Sequence, residues 1–160
     1  MKRFGLIAGV ACLLAATSAS GKGITNDAMA PLKQFITGFN SGDIAVAKAA
    51  HDSDGVSIMD EVEPHIWTGA GAFDAWLASL DAYDKAHGRT DGKVSMGSPR
   101  ILTTAGDRGY AVAPTVYTFK QQGRPMREPA TMTFALHRTP AGWKIAGWSW
   151  NGTKPMASAH

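Results

Sequence analysis

The sequence has a single cysteine, Cys12, inside an uncharged apolar run from Phe4 to Ala16. That run is 13 residues long, too short to cross a bilayer, which takes roughly 20. Lys2 and Arg3 precede it and the small residues Thr17 to Gly21 follow, the layout of a secretory signal peptide over residues 1–20. The expected mature protein is exported, to the periplasm or the medium, with no membrane segment left after cleavage near Ala19 or Ser20. With Cys12 removed it has no thiol, no disulfide and no thiolate metal site.

Charge of one sign is also scarce. Two of the 16 Lys and Arg leave with the signal, and 14 against 13 acids leaves a net charge of +1. No basic cluster longer than two residues follows the leader, so the footprint of a nucleic-acid binder is missing. His51, His87, His137 and His160 show no ligand spacing, which argues against a metal site. No Gly-x-Ser-x-Gly elbow, phosphate loop or Gly-x-Gly-x-x-Gly fingerprint occurs, and no cofactor is expected.

What remains is about 140 residues, enough for one domain with one core. Apolar residues recur at helical spacing at Met29, Leu32, Phe35, Ile36 and Phe39, and Asn40-Ser41-Gly42 stops that helix. Asp43 caps a second, short helix that carries Ile44 and Ala47 inward. Val56, Ile58 and Asp60 alternate against Ser57, Met59 and Glu61, and a short extended piece covers His65 to Thr68. A third helix after Gly71 has the stripe Phe73, Trp76, Leu77, Leu80 and Tyr83. Four long strands then follow, at 94–104, 110–120, 129–138 and 143–151, with turn residues between them. Helices first and antiparallel strands afterwards is an α+β pattern. The domain is expected over residues 27–152, with a frayed C-terminal tail at 153–160.

The stretches "FITGFNSGD" at 35–43, "WTGAGAFDAWL" at 67–77, "VYTFKQQGR" at 116–124 and "TPAGWKIAGWSWNG" at 139–152 carry a resemblance. In order and spacing they are similar to the nuclear transport factor 2-like superfamily, which includes SnoaL-like and ketosteroid isomerase-like proteins. The resemblance implies a cone: a curved antiparallel sheet wrapped over three helices, with a pocket at the open end. One scaffold in that superfamily serves isomerases, dehydratases, cyclases, transport factors and plain binding domains, so function has to be argued from the site.

Asp60 is the leading candidate base, since it ends an otherwise apolar alternation. In the ketosteroid isomerases an aspartate at the matching place is the general base, beside an oxyanion hole made by a tyrosine and a protonated aspartate. Here the position matching the tyrosine is Phe35, and that matching the protonated aspartate falls at Thr133 or Phe134. The donors that should stabilise a developing enolate are therefore missing, a loss of about 3 kcal/mol per donor. His65 or a tyrosine is the candidate acid. The expected pocket lining is Phe35, Phe39, Ile58, Trp76, Tyr117, Phe134, Ile145, Ser149 and Asn151.

The last strand is the hardest to orient. If Trp143 and Ile145 face the helices, strict alternation turns Trp148 and Trp150 to the outer face of the sheet. Two exposed indoles there are expected to anchor a homodimer; the alternatives are that they wall the pocket or lie under the C-terminal tail. Three functions stay open. The first is binding of a small apolar or amphipathic molecule without turnover. The others are an isomerase, dehydratase or cyclase using Asp60, and an interaction module working through the outer sheet face.

Overall fold

The computed structural model describes residues 27–158. The signal-peptide expectation for residues 1–20 lies outside the described residues. In chain order the elements are α1 (Ala30–Ser41), α2 (Ile44–Ala49), β1 (Val56–Met59), β2 (Ile66–Gly69), α3 (Ala72–His87), β3 (Arg89–Met96), β4 (Ile101–Ala105), β5 (Arg108–Gln121), β6 (Arg124–Thr139), β7 (Gly142–Gly152) and β8 (Met156–Ala157). Local chemistry sets the helix ends. Pro31 sits in the first turn of α1 and Gly42, with φ 76°, closes it in the left-handed conformation. The Asp43 carboxylate accepts the Val46 N–H at the start of α2.

The sheet runs in the order β2-β1-β7-β6-β5-β3, with β4 added to β5 and β8 to β6. Its pairings are antiparallel except β1 with β7, which is parallel, so the sheet is mixed. Curved over the three helices, it makes the expected α+β cone. The expected single strand at 94–104 is two strands, broken at 97–100, where Gly97 donates to Pro114 O and Arg100 to Val112 O. β5 changes partner there, from β4 to β3. The tail is paired as well: Met156 and Ala157 lie against Arg127 and Met126, extending the sheet past the end of β7. Ile44 stays on the surface while Ala47 is buried.

One residue decides how the last strand packs. Leu136 of β6 is opposite Ile145, but Ala135 is opposite Gly147, so Ala146 is an extra residue, a β-bulge. Beyond the bulge the parity inverts. Ile145 then shares the inner face with Trp148, opposite Phe134, and with Trp150, opposite Met132. Trp148 is 4% exposed and Trp143 7%. The expectation that Trp148 and Trp150 face outward as dimer anchors is corrected: strict alternation assumed an unbroken ladder, and the ladder is broken at Ala146.

Under this face Leu32, Phe35, Ile58, Phe134, Leu136 and Ile145 make the core. The two short helices reach it because α1 and α2 touch through Gly38. A Cβ there would lie 2.4 Å from the Ala47 backbone nitrogen. Gly38→Ala should therefore push α2 away and cost about 1–3 kcal/mol or more, read as a lower urea midpoint; an unchanged midpoint would show that the contact has room to give.

Candidate functional site

The open end of the cone holds a cleft between α1, α3 and the inner sheet face, with a free volume of about 550 Å³ counted out to its mouth. That figure includes open solvent at the mouth; the space open to the centre of a water-sized molecule is about 60 Å³, so the cleft is narrow. Its walls are largely aromatic: Phe35, Phe39, Trp76, Tyr117, Trp148 and Trp150. Phe35 stacks on Trp148 at 5.6 Å, and Trp76 meets Trp148 edge-on at 4.9 Å. Such ring packing adds about 0.5–1.5 kcal/mol per pair beyond area burial and fixes the walls.

Each of the three indole N–H groups is tied to a titratable side chain. Trp76 Nε1 donates to Asp60 Oδ2 at 2.8 Å. Trp148 Nε1 donates to His51 Nε2 at 3.1 Å, and His51 Nδ1 lies 3.0 Å from Ala47 O. That pair of contacts makes His51 a neutral ring with its proton on Nδ1, and burial lowers its pKa to about 4. Trp150 Nε1 is shared between Glu61 Oε1 at 2.9 Å and Glu128 Oε1 at 2.8 Å.

Asp60 follows β1 in the alternation Val56, Ile58, Asp60, which carries it to the cleft wall. Its Oδ1 also accepts the Val62 N–H at 3.3 Å. Burial raises its pKa, against the opposing pull of the Trp76 hydrogen bond. Asp60 is thus a stronger base than a solvated aspartate. Glu128, on β6, is 2% exposed. Burial, then its hydrogen bond with Glu61, pushes its pKa up to about 8. Burial likewise raises the Tyr117 phenol. The cleft thus gathers three carboxyls, on Asp60, Glu61 and Glu128, and the Tyr117 phenol, with Asp60, Glu128 and Tyr117 all shifted upward by burial.

The other expected site residues divide by position. Ile58, Phe134 and Ile145 are fully buried beneath the cleft and do not line it. Ser149 and Asn151 line a second, more open depression with Met59 and Ile66, which shares Asp60, Glu61 and Trp150 with the cleft. The bulge moved them there when it moved the tryptophans in. His65, at φ 74°, is exposed and lines the same depression, with Nδ1 3.3 Å from the Asp60 carbonyl rather than its carboxylate. It is not on the cleft wall. Glu61, Arg89 and Glu128 were missed. For Glu128 the signal was present: it shares parity with Met132, Phe134 and Leu136 on β6. The acid sought at Thr133 or Phe134 stands further back along that strand. Among the described residues no group of three or more His, Cys, Asp or Glu side chains is placed to hold a metal ion.

With this geometry the chain falls in the class of cone-shaped α+β proteins with a pocket at the open end. Residues 29–149 match the family model of the SnoaL-like domain, and the chain belongs to that family. Three solved structures illustrate the shared fold. A ketosteroid isomerase-like protein from Erwinia carotovora atroseptica SCRI1043 is 18% identical with a TM-score of 0.60, covering 79% of this chain and 93% of its own. The hexachlorocyclohexane dehydrochlorinase LinA-type3 from Novosphingobium barchaimii LL02 is 12% identical with a TM-score of 0.64, covering 81% and 88%. A cystatin-like fold protein of unknown function from Nostoc punctiforme PCC 73102 is 14% identical with a TM-score of 0.57, covering 79% and 88%. No curated protein matches the sequence.

The Glu61–Glu128 pair fits because position 152 is glycine. A Cβ on Gly152 would lie 1.9 Å from Glu128 Oε1 and 2.5 Å from Glu61 Oε1. Trp150 touches both carboxyls, so its fluorescence should titrate with a midpoint near pH 8 as Glu128 loses its proton. Glu128→Gln should abolish that transition and Gly152→Ala should displace it; a wild-type signal flat from pH 6 to 10 would refute the pairing.

Proposed function

We propose that the cleft is the active site of a proton-transfer enzyme acting on a small, largely apolar cyclic molecule that bears oxygen. Asp60 takes a proton from the substrate, and the Tyr117 O–H hydrogen-bonds to the oxygen where negative charge develops, beside Glu128, whose proton is shared with Glu61. The observation that carries this reading is two unlike carboxyls on one aromatic cleft: Asp60, raised by burial but held by the Trp76 and Val62 N–H donors, and Glu128, pushed up to about 8 and so keeping its proton. A base suits proton abstraction when its pKa is raised toward the working pH, and donors already in place supply the electrostatic stabilisation. Isomerisation, dehydration and elimination all begin this way. The family has the scaffold for them, and the LinA structure, a dehydrochlorinase, shares the fold.

The direct test is solvent exchange. Small cyclic ketones and β-hydroxy ketones incubated with the protein in D₂O should gain deuterium next to the carbonyl, seen by mass spectrometry. Asp60→Asn should slow the gain about 10²–10⁴-fold. Exchange that persists in Asp60→Asn removes Asp60 from the mechanism. No exchange with any of them favours the second reading, binding without turnover. One observation supports that alternative: both Asp60 carboxylate oxygens already accept a hydrogen bond within the protein.

Dimerisation is part of the same proposal, through a different surface from the tryptophans. Register aligns Ile66, Met59, Ser149, Thr133, Val112 and Ile101 in one row across the outer face, and Thr68, Ser57, Gly147, Ala135, Tyr110 and Thr103 in the next. None of these side chains is charged, and Met59, Ile66, Ile101 and Tyr110 are exposed. A broad uncharged face of this kind suits a second copy of the chain. Light scattering should report a dimer that Thr133→Arg converts to monomer; a monomeric wild type, or a variant of unchanged mass, would refute this surface.

A further inference from the structure

Arg89 begins β3 immediately after Gly88, the left-handed residue that ends α3. The tight reversal places it on the cleft wall, where it is the one cationic side chain among the described lining residues. Two rings from different elements grip its guanidinium: Cζ lies 4.9 Å from the Tyr83 ring centre and 4.4 Å from that of Phe119. Tyr117 in turn stacks on Phe119 at 5.0 Å. The group is therefore held in place rather than swinging on a flexible stem.

It is also short of partners. Nε of Arg89 is buried with no hydrogen-bond partner, and no ion pair to Arg89 occurs among the described residues. Asp60, Glu61, Asp84 and Glu128 are the acids of the same region. Arg89 lowers the pKa values of Asp84 and Glu128 through space, yet neither carboxylate comes within ion-pair distance. Asp84 Oδ1 is itself buried without a partner. A buried donor without an acceptor is destabilising, and a suitable ligand atom removes that penalty on binding.

We propose that Arg89 is the subsite for a carboxylate on the ligand, so that the molecules this cleft takes are small cyclic or aromatic acids. This rests on the cleft being the working site and adds the chemical class of what enters it. The ring lies among the indole and phenyl faces, and the carboxylate meets a guanidinium whose planar fork matches it. Asp60 and Glu61 also line the cleft, and Glu128, hydrogen-bonded to Glu61, adds no charge opposite Arg89 while it holds its proton. Above about pH 8 that carboxyl ionises and competes for Arg89.

The experiment is calorimetric titration of the full mature protein with benzoate and with its uncharged isostere benzamide, with tryptophan quenching to locate binding at the indole-lined cleft. Benzoate should bind wild type at least about tenfold more tightly than benzamide. Arg89→Gln should weaken benzoate by about tenfold or more and leave benzamide within about twofold, with Arg89→Lys between the two. Equal binding of acid and amide to wild type overturns the carboxylate subsite and leaves the cleft reading standing, and so does benzoate affinity unmoved in a folded Arg89→Gln. Should neither compound bind or quench, the subsite and the cleft reading fall together. The wild-type preference needs no variant, so misfolding of Arg89→Gln would not shield the proposal.

Discussion

The extra residue at Ala146 is the constraint on which the rest of the site depends. A strand that alternates without interruption offers one set of side chains to the core. In β7 that set would be either Trp143 with Ile145 or Trp148 with Trp150. With the bulge between Ala135 and Leu136 pairing to Gly147 and Ile145, both sets face inward. The half before the bulge closes the core against Leu136, and the half after it supplies two walls of the cleft. The same step sends Ser149 and Asn151 outward, Ser149 into one of the uncharged rows of the outer face. Interior and exterior of the cone are both set by one inserted residue.

Once the indoles face inward, their N–H groups must be satisfied, since an unpaired buried donor is costly. The solution uses titratable partners each time: Asp60 for Trp76, His51 for Trp148, Glu61 and Glu128 for Trp150. The ring faces stay free for an apolar ligand while the ring edges hold the polar groups. This explains how one small cleft can be walled by aromatic rings and still gather acidic groups. It also fixes protonation states. His51 must remain neutral to accept from Trp148, and burial that lowers its pKa to about 4 keeps it so.

Much of the fold was legible in the sequence because its signals are local. Capping at Asp43, the stop at Gly42, the α3 stripe and the turn residues between strands all depend on near neighbours. So did Asp60, whose alternation with Val56 and Ile58 survives in the structure. Phe35, Phe39, Trp76 and Tyr117 reach the cleft for the same reason: their elements keep regular periods. What failed was non-local. A bulge is a property of two paired strands, and nothing within "GWKIAGWSWNG" marks which residue β6 will skip. His65 was expected near the same mouth, two residues before Trp67, yet its ring meets the Asp60 carbonyl and does not line the cleft. The parallel joining of β1 to β7 brings together segments some 90 positions apart and has no local signature. Glu128 lies between: its parity could be counted from Phe134, but a glutamate at an inward position becomes credible only once Trp150 and Glu61 are seen to meet it.

The division of labour between Asp60 and Glu128 follows from what each carboxyl faces. Burial raises both, since taking a carboxylate out of water disfavours its charged form. Asp60 then receives two N–H donors, from Trp76 and Val62, which favour the ionised state and hold its rise in check. Glu128 shares its one indole donor with Glu61, and two carboxyls at one N–H cannot both ionise cheaply. One group is thereby biased to accept a proton and the other to keep one. Gly152 makes the arrangement possible, because any side chain there would drive the two carboxyls apart and return Glu128 to the company of water.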